Sequence, residues 1–117
     1  MNIKYINVSY IEEVCGGDKE LIAEIIGIFR QQVAEFNEEF HMLHNNQDYF
    51  NLGLLAHKAK SSVAIMGMEE LARGLKELEL KAKVGDDIEL YSKYLSDFEL
   101  QTTSALEELN WYLKNLV

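Results

Sequence analysis

His57 is followed three residues later by Lys60, and a glutamate, Glu79, sits in the next stretch of apolar periodicity beside Leu75 and Leu78. These residue types suit phosphoryl chemistry. An imidazole with the ordinary pKa of about 6.5 is mostly neutral near pH 7, and its unprotonated nitrogen is a nucleophile. It can attack phosphorus when the other nitrogen is held as a donor by an acceptor, and Glu79 is a candidate acceptor for Nδ1–H. A lysine one helical turn away offsets the charge of a bound phosphoryl group.

Other chemistry is less well supplied. Glu38-x-x-His41 resembles half of a di-iron motif, but no second such pair follows, and Glu38 turns away from the stripe of Phe36 and Phe40. His41 and His44 read as surface histidines. Cys15 is a lone thiol, which excludes an internal disulfide and reads as a small core residue. There is no Gly-rich phosphate loop or nucleotide motif, so the chain is no kinase in its own right. No metal site and no cofactor of its own are expected.

The elements that must position His57 are helices. The chain has 117 residues, 48% of them hydrophobic, with no proline and 7 glycines. That composition fits one helical domain spanning residues 1–117. A short first helix is predicted over Tyr10–Cys15, capped by a Ser9/Glu12 box and ended by Gly16-Gly17. Asp18 caps a second helix reaching His44, with a stripe of Ile22, Ile25, Phe29, Val33, Phe36, Phe40 and Leu43. The third runs from Asp48 to Met66, turning Leu52, Leu55, Ala59, Val63 and Met66 inward, with Gly67 after it. The fourth starts near Met68, carries Leu71, Leu75, Leu78 and Ala82, and ends at Gly85. Asp86 or Asp87 caps the last, whose stripe is Ile88, Tyr91, Leu95, Phe98, Thr102, Ala105, Leu109, Tyr112 and Leu116. Long amphipathic helices joined by short loops predict an all-α fold, an antiparallel up-down four-helix bundle with a short extra N-terminal helix.

At 100° per residue, His57 falls nearly opposite the third helix's apolar stripe and should be exposed. Its outward neighbours are Gly53, Leu54, Lys60, Ser61 and Ala64, with Phe50 and Ile65 at the rim. Gly53, Ser61 and Ala64 are small. A mid-helix glycine costs about 1 kcal/mol relative to alanine, and close approach of a partner surface is one reason to accept it. Phe50, Gly53, Leu54, Ser61, Ala64 and Ile65 are therefore the candidate docking face.

The net charge of −9 excludes the basic footprint of a nucleic-acid binder and disfavours an anionic membrane. No stretch approaches the roughly 20 apolar residues of a membrane span, and no signal-like segment opens the chain, so the cytoplasm is the expected compartment. Met1 and the lack of a linker-like stretch favour a free-standing chain.

The run Ala56-His57-Lys58-Ala59-Lys60-Ser61-Ser62-Val63-Ala64-Ile65-Met66-Gly67 resembles the signature of histidine-containing phosphotransfer (HPt) domains of two-component phosphorelays. That signature reads Ala-His-x-Leu-Lys-Gly-Ser-Ser-x-x-x-Gly and is followed by a helix with a Leu-Glu pair. His57 matches the phosphoacceptor, Lys60 the lysine, Ser62 the first serine, Gly67 the closing glycine, and Leu78-Glu79 the later pair. Ser61 replaces the family's glycine where partners come closest, and Ala59 replaces a leucine on the core side. The resemblance implies a phosphorelay carrier in which His57 takes a phosphoryl group from a receiver-domain phospho-aspartate and passes it to another receiver. It implies that Lys60 stabilises the phosphoryl charge and that Glu79 orients Nδ1. It also implies response-regulator receivers and a hybrid sensor histidine kinase as partners, Mg²⁺ supplied by the receiver, and a monomer. The rival reading is an adaptor bundle that binds receiver or kinase domains through the same face without phosphorylation.

Overall fold

A computed structural model describes residues 1–116. Among them the chain is all-helical: α1 (Val8–Val14), α2 (Lys19–Asn45), α3 (Tyr49–Ile65), α4 (Glu69–Val84) and α5 (Tyr91–Lys114), with a 3₁₀ turn at Ile88–Leu90 leading into α5. No helix among the described residues is long and apolar enough to cross a membrane.

α2 packs on α3 and α5, and α4 also packs on α3 and α5, so the four long helices form a closed ring of neighbours. The α3–α4 contact is the most extensive of these. The molecule measures 46 × 22 × 19 Å, as expected of helices lying along one long axis. Phe98 of α5 sets its ring edge-on to Phe40 (5.3 Å between centroids) and Phe36 (6.4 Å) of α2, near the middle of the core. Leucines such as Leu52, Leu75, Leu78 and Leu109 fill the remaining space. Each such side chain stabilises the fold by about 1.5–3 kcal/mol through lost apolar contact with water.

Thr102, the polar break in the α5 stripe, is fully buried, and its hydroxyl donates to the Phe98 carbonyl at 2.6 Å. It thereby meets its own hydrogen-bonding need inside the helix. Cys15 is a buried small residue at the end of α1, as expected. Tyr112 closes the end of the bundle by donating to Glu12 at 3.0 Å; burial first, and then that bond, raise its pKa to about 12.

Several expected details are corrected. α1 begins earlier, and its cap is Asn7, whose side chain accepts from the Tyr10 N–H, so Ser9 lies inside the helix. Ile26, missing from the expected α2 stripe, is fully buried, while Ile25 and Leu43 are only half-buried. In a helix of 3.6 residues per turn, positions 25 and 26 both border the stripe, and the second is the one turned into the core. Neither Asp86 nor Asp87 caps α5: Asp87 has a left-handed backbone (φ 53°) and reaches Lys81 at 2.7 Å. Ile88 sits in the 3₁₀ turn and is exposed rather than core.

The N-terminal segment is tied down in a way the sequence did not announce. Glu108 on α5 is 5% exposed, and its carboxylate accepts the backbone N–H groups of Lys4, Tyr5 and Ile6 at 3.0–3.3 Å. Asn7 N–H then donates to the Met66 carbonyl at 3.0 Å. Gly67 faces Asn7 with φ +77°, and a Cβ there would overlap the Asn7 side chain. Only glycine meets both demands at that junction.

Candidate functional site

α3 starts where Asp48 accepts from the Asn51 backbone N–H, immediately after Gln47 turns the chain with φ 57°. One turn further on lies Gly53. It is buried, and a Cβ built on it would stand 3.0 Å from the Glu79 carbonyl oxygen, 3.0 Å from Lys83 Cγ and 3.2 Å from the Lys83 nitrogen. Two of those three atoms are backbone, so a side chain at 53 would push the helices apart. The missing side chain sets the α3–α4 crossing. This corrects the expectation for Gly53: the space it clears belongs to α4, and it is no part of an open docking face.

The crossing brings the next turn of each helix together. His57 Nδ1 lies 3.1 Å from both Glu79 oxygens. Lys83 Nζ donates to Glu79 Oε2 at 2.9 Å, and Lys60 Nζ stands 3.8 Å from Oε1. Glu79 is 5% exposed, whereas the His57 side chain is 58% exposed. The hydrogen bond from Lys83 is the main reason the Glu79 carboxyl is held down at about 2, against an ordinary 4.5. Burial works in the opposite direction, and the hydrogen bond to His57 adds to the lowering.

A carboxylate only accepts hydrogen bonds, so an ionised Glu79 fixes the neutral ring as the Nδ1–H tautomer. Nε2 has no hydrogen-bond partner among the described residues, and it carries the lone pair. The arrangement is therefore an exposed, oriented nucleophile with a buried carboxylate behind it and two ammonium groups at its sides.

His57, Lys60 and Glu79 are thus brought together as the sequence led one to expect. Of the residues assigned to docking, Phe50, Leu54, Ser61, Ala64 and Ile65 are exposed, and Gly53 is not. Sequence reasoning missed Lys83, although Glu79 and Lys83 stand at i,i+4, the spacing of a helical ion pair. It also missed Gln32 of α2, whose side-chain oxygen accepts from Ser62 at 2.9 Å and fixes α2 against α3 just below the site. Ile28, half-exposed, lies one turn before Gln32 on α2. His41 is separate from this cluster and pairs with Glu99 of α5 at 3.3 Å. Among the described residues, no three His, Cys, Asp or Glu side chains gather to hold a metal.

No family model, no curated protein and no solved structure matches the chain.

Proposed function

We propose that the chain is an HPt-like phosphorelay carrier in which His57 accepts and donates a phosphoryl group. The observation that carries this reading is the hydrogen bond from His57 Nδ1 to a buried, ionised Glu79, which leaves Nε2 free on an exposed ring. Agreement between that geometry and the Ala56–Gly67 run supports it. So does the helix arrangement: three-residue connections between α2 and α3 and between α3 and α4, with the closed ring of contacts, favour an antiparallel up-down four-helix bundle with α1 as the extra helix.

In the proposed step a receiver domain bearing a phospho-aspartate docks over α3 and the adjoining side of α2. The exposed apolar residues Leu54, Ile65 and Ile28 supply its contact surface. The Nε2 lone pair attacks phosphorus in line, the N–P bond forms, and the P–O bond to the aspartate breaks with its electrons leaving on the carboxylate. The Nδ1 proton stays where it is. The ring becomes positively charged as the bond forms, and Glu79 lies where that charge develops. In this reading Lys60 meets the phosphoryl oxygens. Reversal onto a second receiver's aspartate returns the neutral ring. The cluster offers one carboxylate with both oxygens engaged, a poor oxygen set for Mg²⁺, and in this reading that ion comes with the receiver. In this reading the chain is a carrier of the phosphoryl group and not an enzyme. A cytoplasmic monomer that meets a hybrid sensor kinase and its receivers fits the reading.

Incubation with a phosphorylated receiver domain tests it. The expected result is an acid-labile, base-stable label on the wild type and none on His57→Gln. If no such label forms with any of a panel of phosphorylated receivers, or if His57→Gln is labelled equally, the carrier reading fails and the adaptor reading takes its place.

A further inference from the structure

Lys83 has no place in the sequence-based reading of the site, yet it makes the shortest contact to the carboxylate that orients His57. Glu79 has three ion-pair partners among the described residues: His57 and Lys60 from α3, and Lys83 from its own helix. Among the described residues, α2, which also packs on α3, forms no ion pair with the cluster, and its hydrogen bond to α3 is the neutral Gln32–Ser62 pair. Lys58 lies beside His57 in sequence but a third of a turn around the helix, and it joins no ion pair among the described residues. The charge felt by the His57 ring is therefore set by Glu79 and by the two lysines that offset it.

That balance has a chemical consequence. A lone buried carboxylate beside an imidazole favours the protonated, doubly N–H ring, which has no lone pair to attack with. The same bias acts after phosphoryl transfer. In hydrolysis of a phosphohistidine, water attacks phosphorus and the N–P bond breaks, its electron pair leaving on the ring nitrogen. That departure is easy when Nδ1 carries a proton, because a neutral imidazole leaves, and hard when an imidazolate must leave. An unbalanced carboxylate would hold the Nδ1 proton tightly and shorten the life of the carrier state.

Resting on the carrier reading above, we propose that Lys83 is a positioning residue that acts on His57 through Glu79: it clamps the carboxylate against the ring and limits how strongly it draws a proton onto it, so that phosphohistidine persists long enough to be passed on. The side chain suits the role. Its stem packs across Gly53 and its ammonium group reaches Oε2, so one residue links the helix crossing to the charge balance.

Lys83→Met keeps the stem and removes the charge, and Lys83→Arg restores it. The first readout needs no phosphodonor: titration of the His57 ring by nitrogen-15 NMR, with His57→Gln used for assignment. The midpoint in Lys83→Met is expected to lie about half a unit to one unit above wild type, the size of one charge removed from a partly exposed pair, and to return in Lys83→Arg. The second readout is the half-life of the phosphorylated protein at pH 7, expected to fall about threefold to tenfold in Lys83→Met, a factor of ten corresponding to one pKa unit, and to recover in Lys83→Arg. A folded Lys83→Met whose midpoint matches wild type overturns the proposal, and so does an unchanged half-life. If the wild type is never phosphorylated, the carrier reading fails on its own, and the donor-free titration still decides whether Lys83 controls the ring.

Discussion

Glu79 and Glu108 are both glutamates on helices, both 5% exposed, and both ionisable groups set against the core. They differ in what answers their charge. Glu108 is met by three backbone N–H groups of the N-terminal segment, which cannot titrate and can leave only if the segment peels away. Glu79 is met by three titratable side chains, one of them an exposed imidazole. Backbone donors make a carboxylate a fixed clasp. Side-chain donors make it a balance that shifts with protonation and with a new charge on the ring. Burial alone therefore does not single out a candidate site carboxylate; the identity of its partners does.

Mutation should separate the two most sharply at Glu108. Glu108→Ala strands three backbone N–H groups, two part-buried and one buried, and a stability loss of about 2–4 kcal/mol is expected in urea denaturation. Where the variant is still folded, its phosphoryl acceptance should match wild type. Loss of labelling in a folded Glu108→Ala protein would erase the distinction drawn between the two residues.

A smaller stability effect with a larger effect on the site is expected at Gly53. An added methyl meets backbone atoms of α4 at 3.0 and 3.2 Å, so the helices must shift. Overpacking of this kind costs about 1–3 kcal/mol, partly offset by alanine's better helix propensity. The His57–Glu79 contact should lengthen, seen as loss of the single Nδ1–H tautomer in nitrogen-15 spectra.

The smallest change in stability is expected at Glu79→Gln, because the amide oxygen can still accept from Nδ1–H. A loss of about 1 kcal/mol is the scale, given that Lys60, Lys83 and His57 remain partly in solvent. Its pH dependence identifies the cause. The folded-state pKa of Glu79 lies below the ordinary value, so its ionic contribution is present above pH 4.5 and is lost as pH falls from 4.5 towards about 2. The stability gap between wild type and Glu79→Gln should fade over that window in acid titrations followed by circular dichroism.

Much of this was readable from residue order, for reasons specific to each position. The exposure of His57 followed from its angle to Leu52, Leu55, Ala59 and Val63, all of which are buried. Glu79 was found because it borders the α4 stripe on a helix that short loops force alongside α3. Gly53 reads as a gap in sequence, but a missing side chain does not say which surface comes close, and here it is α4. Lys83 carries a signal at i,i+4, but most pairs at that spacing are solvated surface pairs, so the spacing alone does not mark it. Glu108 carried none: its donors lie about a hundred positions earlier in the chain, and nothing local marks a glutamate that will meet them. Ser9 reads as the cap because Glu12 completes a capping-box pattern, whereas the Asn7 backbone is tethered to Met66 and its side chain takes the Tyr10 N–H.

The central claim is that Glu79 holds Nδ1 and leaves Nε2 to carry phosphorus. Phosphorus-31 and nitrogen-15 NMR of the protein labelled by a phosphorylated receiver distinguishes the two ring nitrogens directly. A single N–P linkage at Nε2 of His57 is the predicted result. Phosphorus on Nδ1, on another side chain, or nowhere would contradict it.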